Sequence, residues 1–194
     1  MNDKQQLRQQ ALARRRELGG EARERSSTAI RQRLLDMLAE DARLSGAPLL
    51  SYRSMDDEVD TAPLFDRLRA TGREVFAPVT HHAGEMLWRQ VDDGTRWQRG
   101  DFGVLEPASG ELWRPDENPA VLLCPLVGFD RCGNRLGMGK GCFDRWLDGM
   151  KNHILLGVGL AFACQECPRI PAEAHDMPLD IIITEGETIA CRNC

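Results

Sequence analysis

The chain contains few lysines, one tyrosine and no long hydrophobic run. Only Lys4, Lys140 and Lys151 are lysines among 25 basic residues, so arginine is the usual surface cation and the lysines are candidate functional residues. No apolar run approaches the roughly 20 residues that cross a bilayer. The N-terminus carries charges where a secretory signal would have its apolar stretch. We therefore expect a cytoplasmic protein with no membrane partner.

The chain also lacks an excess of positive charge. Its formal net charge is −5 and its pI is near 5.4, so nothing global attracts it to nucleic acid. An RNA-binding module built on the helix with Arg14-Arg15-Arg16 is one alternative. The acidic total and the absence of interleaved aromatic residues count against it. We expect a monomer with no nucleic-acid partner.

The chain contains seven cysteines. Their odd number, without a secretion signal, predicts reduced thiols. The pairs Cys164-Cys167 and Cys191-Cys194 have the spacing of a four-thiolate zinc site. The gap between the pairs is longer than usual and the second pair ends the chain. We interpret them as ordinary thiols, with zinc binding as the alternative.

Apolar residues recur at helical spacing over residues 3–18 and 21–43, which predicts two helices that are interrupted near Gly19-Gly20. Further along, short apolar runs alternate with helical segments, which indicates an α/β fold with three αβα layers around a mostly parallel sheet. At 194 residues we expect a single domain over residues 1–194. The predicted strands are 48–52, 74–78, 86–91, 121–127, 153–162 and 180–184, the other helices are 61–70 and 142–150, and residues 92–119 are an ordered loop.

The segment 125–145 is the densest in residues with chemical potential. Gly137, Gly139 and Gly141 alternate around Lys140, between a predicted strand and a predicted helix. Alternating glycines let successive backbone amides turn toward one point, where the helix dipole and the lysine would add positive charge. Ligands of open α/β sheets bind at the carboxyl ends of strands. The sequence therefore predicts a phosphate-binding loop at this position.

This loop matches neither of the two common phosphate motifs. A Walker loop needs a glycine five residues before its Gly-Lys pair and Ser or Thr after it, and here those positions hold Asn134 and Gly141. The dinucleotide pattern GxGxxG would need a glycine where the chain has Cys142. A plain glycine-rich turn accounts for one or two of the glycines. It does not account for three of them together with Lys140 and Arg135.

Three groups of carboxylates lie near predicted strand ends. Asp144 comes one helical turn after Lys140, and a carboxylate beside a phosphate cradle indicates a magnesium ligand. The alternative is a carboxylate that only complements the helix dipole. Most of the acids in residues 54–61 are accounted for by a solvated loop that caps the next helix. The pair His175-Asp176 is either a turn or supplies Asp176 as a second metal ligand.

Together these segments closely resemble the 5-formyltetrahydrofolate cyclo-ligases, also called 5,10-methenyltetrahydrofolate synthetases. The resemblance covers almost the full length in the right order, and the glycine loop is its most specific part. The segments that carry it are Lys4-x-x-Leu7-Arg8, Asp57-Glu58-Val59-Asp60-Thr61, Phe102-Gly103 with Glu106-Pro107, Pro125 to Asp130, Gly133 to Gly141, Phe143-Asp144-Arg145, His175-Asp176, Leu179-Asp180 and Ile183-Thr184.

The resemblance implies a three-layer α/β enzyme that uses ATP and Mg²⁺ to convert 5-formyltetrahydrofolate into 5,10-methenyltetrahydrofolate, ADP and phosphate. Phosphorylation of the formyl oxygen, followed by cyclisation, needs positioning and charge neutralisation rather than a protein nucleophile. By position, the resemblance implies catalytic roles for Lys140 and Arg135; ATP contacts for Lys4, Arg8, Arg135, Gly137, Met138, Gly139, Lys140, Gly141, Cys142 and Phe143; substrate contacts for Arg53, Glu58, Met138, Gly139, Lys140, Gly141 and Cys142; and magnesium contacts for Asp144 and Asp176.

The chain departs from the family pattern at two of these positions. Many members have Tyr-Tyr where this chain has Cys142-Phe143, so a stacking ring is kept while two phenolic hydroxyls are lost. Arg53 stands where some relatives carry an apolar residue, which changes the predicted pterin contacts. The alternative function is a non-catalytic nucleotide or folate binder with the same fold.

Overall fold

The computed structural model describes residues 3–81, 85–173 and 176–191. In these ranges the helices are α1 (Asp3–Glu17), α2 (Gly20–Glu40), α3 (Ala62–Arg69) and α4 (Cys142–Met150), with 3-10 turns at Ala42–Leu44, Lys151–His153 and Ala163–Gln165. The strands are β1 (Leu49–Leu50), β2 (Val75–Thr80), β3 (Met86–Gln90), β4 (Trp97–Arg99), β5 (Leu105–Pro107), β6 (Ala120–Cys124), β7 (Gly128–Phe129), β8 (Arg135–Leu136), β9 (Ile154–Leu160), β10 (Ile181–Ile183) and β11 (Thr188–Ala190).

Seven strands form one sheet in the order β11-β10-β9-β6-β1-β2-β3. The five inner strands are parallel to their neighbours, whereas the edge strands β11 and β3 pair antiparallel with β10 and β2. The predicted α/β class with a mostly parallel sheet is confirmed. Because parallel strands share one carboxyl edge, the segments that follow β1, β2 and β6 meet at that edge.

Alternate residues of the strands bury opposite faces of the sheet. Leu49, Val121 and Leu123 pack in one apolar cluster with residues of α2 and α3. Leu50 and Leu122 belong to another cluster, which they share with residues of α4. All five side chains are fully buried, and burial of each stabilises the fold by about 1.5–3 kcal/mol. Helices therefore cover both faces, which confirms the predicted three layers.

Helix α1 packs at the carboxyl edge of the sheet. Its Ala11 is fully buried in a small cluster, and a Cβ at Gly128 would lie only 3.2 Å from the Cβ of Ala11. The other buried members of this cluster are Val127, Leu136, Cys167 and Ile170. This close contact holds the first two turns of α1, with Lys4 and Arg8, beside the chain that follows β6. None of the helices described is both long and apolar enough to span a membrane.

The structure corrects several predicted element boundaries. The strand predicted for 121–127 ends at Cys124, and the helix predicted for 21–43 ends at Glu40. The region 92–119 contains the hairpin β4–β5, and a second hairpin, β7–β8, precedes the glycine loop. Strand β11 has no counterpart in the prediction. These strands are two or three residues long, so hydrophobic periodicity cannot identify them.

Five of the described cysteines are free thiols: Cys124, Cys142, Cys164, Cys167 and Cys191. Cys132 is disulfide-bonded, so the prediction of reduced thiols is wrong there. An odd count rules out complete pairing but permits a single bond. Burial raises the pKa of Cys164 and Cys167 above the ordinary value. Within 3–81, 85–173 and 176–191 no three His, Cys, Asp or Glu residues form a metal-binding group, and Cys194 lies outside these ranges.

Candidate active site

A cavity of about 300 Å³ opens where β1, β2 and β6 end. Its wall combines apolar side chains with a few charged groups, which is the usual composition of a ligand site. The structure brings together most of the residues that the sequence singles out. Those that line the cavity are Arg53, Glu58, Arg135, Gly137, Met138, Lys140, Gly141, Cys142, Phe143 and Asp144.

The glycine loop has the backbone that its sequence predicts. Gly139 and Gly141 have φ values of 89° and 65°, a left-handed conformation that side chains other than glycine rarely adopt. Gly141 is also the N-cap of α4, so the helix begins directly after the loop. Arg8 of α1 donates from Nε to the carbonyl oxygen of Gly137 at 2.7 Å. The loop is thereby fixed at its start by α1 and at its end by α4.

Lys140 extends from the loop toward the rim of the cavity. Its Nζ lies 6.0 Å from the centroid of the Phe102 ring, within reach of a cation–π contact. Among the residues that the structure describes, Lys140 forms no ion pair with a carboxylate. A cation without a carboxylate partner beside left-handed glycines is suited to binding an anion.

Arg135 connects the glycine loop with the segment that precedes β10. Its side chain is only 4% exposed. It donates to Asp144 Oδ1 and to the carbonyl oxygen of Met177, each at 2.5 Å. Burial lowers the pKa of Arg135, but its interactions with Cys124, Asp144 and Asp176 outweigh burial and raise it. Arg135 is therefore a permanent cation.

Lys4 binds the second predicted magnesium ligand. Its Nζ lies 2.6 Å from Asp176 Oδ2 and 3.2 Å from Glu173 Oε1. Burial lowers the pKa of Lys4, but the interactions with these two carboxylates outweigh burial and raise the pKa. Lys4, Arg8, Gly139 and Asp176 do not line the cavity themselves, and they border the loop on the α1 side. The neighbouring His175 lies outside the described residues.

Glu58 is a carboxyl buried in the wall of the same cavity. It is 8% exposed, and its Oε2 accepts a hydrogen bond of 2.8 Å from the backbone N–H of Met55. Burial raises the pKa of Glu58, although the Met55 N–H and Arg15 counteract it. A buried carboxylate that faces an apolar cavity is suited to accepting hydrogen bonds from N–H groups of a heterocycle.

Sequence reasoning missed Arg15, which supports the segment of Glu58 from below. Arg15 belongs to α1 and is 1% exposed. Its Nη2 and Nε donate to the two oxygens of Asp57 at 2.9 and 3.2 Å, and its Nη1 lies 3.8 Å from Glu58 Oε1. Three consecutive arginines in α1 gave no sign of which one is buried. The available signal was Ala11, one of the apolar positions at helical spacing, which lies one helical turn earlier on the same face.

Glu106 is a second buried carboxyl in the cavity wall. Its Oε1 accepts a hydrogen bond of 2.9 Å from the N–H of Thr80, and burial raises its pKa. A Cβ at Gly100 would lie 2.2 Å from this carboxyl, so a side chain at position 100 would displace the carboxyl of Glu106. In the sequence, Glu106 was recognised only as part of the family motif, and no role was predicted for it.

Aromatic side chains back the cavity. Phe143 packs edge-on against Trp88, with ring centroids 6.2 Å apart, and Trp88 also contacts Trp146. Tyr52, the only tyrosine, lines the cavity and is 4% exposed. The cavity therefore presents a flat apolar wall beside a phosphate-type loop and a buried carboxyl. These features define an α/β enzyme that handles a phosphate group next to a planar organic substrate.

The comparisons with known proteins identify the family. The model of the 5-formyltetrahydrofolate cyclo-ligase family matches residues 1–185. A cyclo-ligase of Haemophilus influenzae is 36% identical over 136 residues, or 68% of this chain and 73% of that protein. A cyclo-ligase of Mus musculus is 27% identical over 192 residues, or 94% and 93% of the two chains.

A solved structure agrees with this family over nearly the full length. The NMR structure of 5,10-methenyltetrahydrofolate synthetase from Aquifex aeolicus matches with a TM-score of 0.78 at 30% identity, and covers 98% of this chain and 94% of that one. The chain belongs to the 5-formyltetrahydrofolate cyclo-ligase family. The resemblance inferred from the glycine loop is thereby confirmed.

Proposed function

We propose that this protein converts 5-formyltetrahydrofolate and ATP into 5,10-methenyltetrahydrofolate, ADP and phosphate. The observation that carries the proposal is one cavity that joins the glycine loop with Lys140 to an apolar wall with the buried Glu58. One side is suited to phosphates and the other to a reduced pterin. Membership of the cyclo-ligase family supports the same reaction. Nothing favours the alternative of a non-catalytic binder.

In the proposed reaction the formyl oxygen first attacks the γ-phosphorus of ATP, and ADP leaves. The anilino nitrogen of the folate then attacks the formyl carbon and loses its proton. The bond from that carbon to the phosphorylated oxygen breaks, and phosphate departs with the oxygen. This route requires no protein nucleophile. The protein has to hold the two substrates in contact and neutralise the charge of the transferring group.

Lys140 and Arg135 are the proposed catalytic cations. Lys140 and the amides around Gly139 would contact the transferring phosphoryl group, where negative charge accumulates. Arg135 is ion-paired with Asp144, so we assign it to keeping the loop and this carboxylate in place as well as to binding ATP. Lys4 and Arg8 would complete the ATP site from α1, together with Gly137, Met138, Gly141, Cys142 and Phe143.

The donor set at the loop fits a magnesium ion. Asp144 and Asp176 both lie close enough to Arg135 to raise its pKa, so the two carboxylates share one neighbourhood. Mg²⁺ in nucleotide sites takes one or two protein carboxylates and completes its shell with phosphate oxygens and water. Asp144 and Asp176 would hold it, and when bound it supplies positive charge to the phosphates of ATP.

The folate is proposed to lie against the apolar wall. Glu58 would accept a hydrogen bond from the pterin, and Phe143 would stack beside it. Arg53 and residues Met138 to Cys142 would form the remaining contacts. Cys142-Phe143 lacks the phenolic hydroxyls of the usual tyrosine pair, so stacking has to replace those hydrogen bonds. A cytoplasmic location and a monomeric state stay predictions.

Calorimetry combined with phosphate release separates an enzyme from a binder. Titration with ATP and with 5-formyltetrahydrofolate should give binding of each, and mixing both with Mg²⁺ should release one phosphate per folate consumed. Binding without phosphate release would favour the binder. Substrate labelled with ¹⁸O in the formyl group tests the route, because the label should appear in the released phosphate.

A further inference from the structure

Arg53 lies in the wall between two cavities. It lines the active-site cavity and also a neighbouring cavity of about 400 Å³, which the beginning of α2 and residues 53–60 enclose. Its guanidinium carbon lies 4.8 Å from the centroid of the Trp97 ring. Trp97 in turn packs edge-on against Phe65, with centroids 5.5 Å apart. The head group of Arg53 is therefore held at a fixed place on the boundary.

Within the described ranges Arg53 forms no ion pair and no hydrogen bond to a carboxylate. The other cations around the active-site cavity have partners or belong to the loop. Arg135 binds Asp144, Arg15 binds Asp57, and Lys140 projects from the glycine loop. Arg53 is thus a cation of the substrate wall that no anion among the described residues pairs with, and stacking on an aromatic ring leaves its N–H donors available.

The neighbouring cavity is less acidic than its composition suggests. Two of its carboxylates, Glu24 and Asp60, are both paired with Arg31, at 3.2 and 3.3 Å. Arg23, which also lines this cavity, has a buried Nε without a hydrogen-bond partner among the described residues. Arg31 thus offsets part of the negative charge of a lining that also includes Asp56 and Glu58, and Arg53 and Arg23 add positive charge to the same cavity.

We propose that Arg53 binds a carboxylate of the glutamate tail of the folate, and that the tail leaves the active site through the neighbouring cavity. The inference rests on the proposed function, which supplies a substrate with an apolar pterin at one end and two carboxylates at the other. The pterin fits the apolar wall, and the tail has to lie away from the negative phosphates of ATP. Arg53 lies at the boundary with the neighbouring cavity and can bind a carboxylate with two parallel hydrogen bonds.

The test pairs a residue with a group of the substrate. Arg53→Met keeps an unbranched side chain on Trp97 but removes the charge, whereas Arg53→Lys keeps the charge without the planar fork. Each is compared with 5-formyltetrahydrofolate and with 5-formyltetrahydropteroyl amide, which lacks the glutamate. Arg96→Met is the matched control, because Arg96 is exposed next to Trp97 and lines neither cavity.

We expect Arg53→Met to raise KM and Kd for the glutamate-containing substrate by roughly tenfold, with kcat unchanged. For the amide, Arg53→Met should raise both values by clearly less than for the glutamate-containing substrate. Arg53→Lys should lie between, and Arg96→Met should match the wild type. An equal loss for both substrates, or no loss for either, would overturn the assignment. Calorimetry measures Kd without turnover, so the effect of Arg53→Met on binding can be measured even if the protein is not a catalyst. Failure of the proposed function would be detected separately, by the absence of product.

Discussion

Replacement of Arg15 by methionine tests the support of the substrate wall. Arg15 is buried, and it forms two hydrogen bonds to Asp57, which is itself 29% exposed. Breaking a buried ion pair by removal of one partner costs about 3–5 kcal/mol. Since water can reach the remaining Asp57, we expect Arg15→Met to lower the free energy of unfolding by less than this, about 2–3 kcal/mol. The m value should not change.

Substitution of the partner, Asp57, should lower the free energy of unfolding by more, because it leaves an unpaired charge that water cannot reach. Asp57→Ala leaves Arg15, which is 1% exposed, without this ion pair, and we expect the free energy of unfolding to fall by about 3–5 kcal/mol. The double variant removes both charges, so its loss should be close to that of Arg15→Met alone rather than to the sum. Arg15→Met should also raise the pKa of Glu58 further, because burial already raises it and Arg15 counteracts burial.

Urea unfolding followed by tryptophan fluorescence measures the stability of the wild type and of these three variants. Arg16→Met is the matched control, since Arg16 is exposed on the same helix, and it should stay within about 0.5 kcal/mol of the wild type. Equal stabilities for Arg15→Met and Arg16→Met would refute the reasoning. So would a double variant whose loss equals the sum of the single losses.

Three further predictions concern the site itself. Lys140→Ala should lower kcat/KM by about 100-fold or more with unchanged unfolding, while exposed Lys151→Ala keeps activity; equal activities would contradict the role of the loop. The stability of Glu58→Gln relative to the wild type should increase as pH rises from 4 to 7. The raised pKa of Glu58 stabilises the wild type at pH values below the ordinary pKa of a glutamate, and this stabilisation is lost as the pH rises through the raised pKa. A difference in urea unfolding that does not depend on pH would contradict this. Cys142 should react with a maleimide and be protected by ATP, whereas Cys124, whose pKa burial raises to about 11, should stay unmodified; labelling of Cys142 that ATP does not slow would place the nucleotide elsewhere.

The sequence predicted the layers of the fold because its long elements carry clear periods. Leu49 and Leu50 show the limit of that approach, since adjacent residues of a two-residue strand bury opposite faces and only the finished sheet reveals which. The hairpins β4–β5 and β7–β8 pair strands of only two or three residues. Such short strands show no hydrophobic period that a sequence pattern could reveal.

In the candidate site, too, residues close together in the sequence were predicted and residues from distant segments were not. Lys140, Asp144 and the glycines were predicted because they are neighbours in the sequence and share one chemistry. Glu106 lines the cavity and Arg15 supports the segment of Glu58, both from distant parts of the chain, and their charge alone does not distinguish them from surface residues. The structure also pairs Asp144 with Arg135, where the sequence had placed it on the same face as Lys140.

The most direct test of the central claim is the absorbance of the methenyl product during incubation of the purified protein with 5-formyltetrahydrofolate, ATP and Mg²⁺. The wild type should give a steady increase that depends on ATP and ends with one ADP per methenyl group, and Lys140→Ala should give almost none. If the wild type produces no methenyl absorbance while it binds both ligands, or if Lys140→Ala produces as much as the wild type, the cavity described here is not a cyclo-ligase active site.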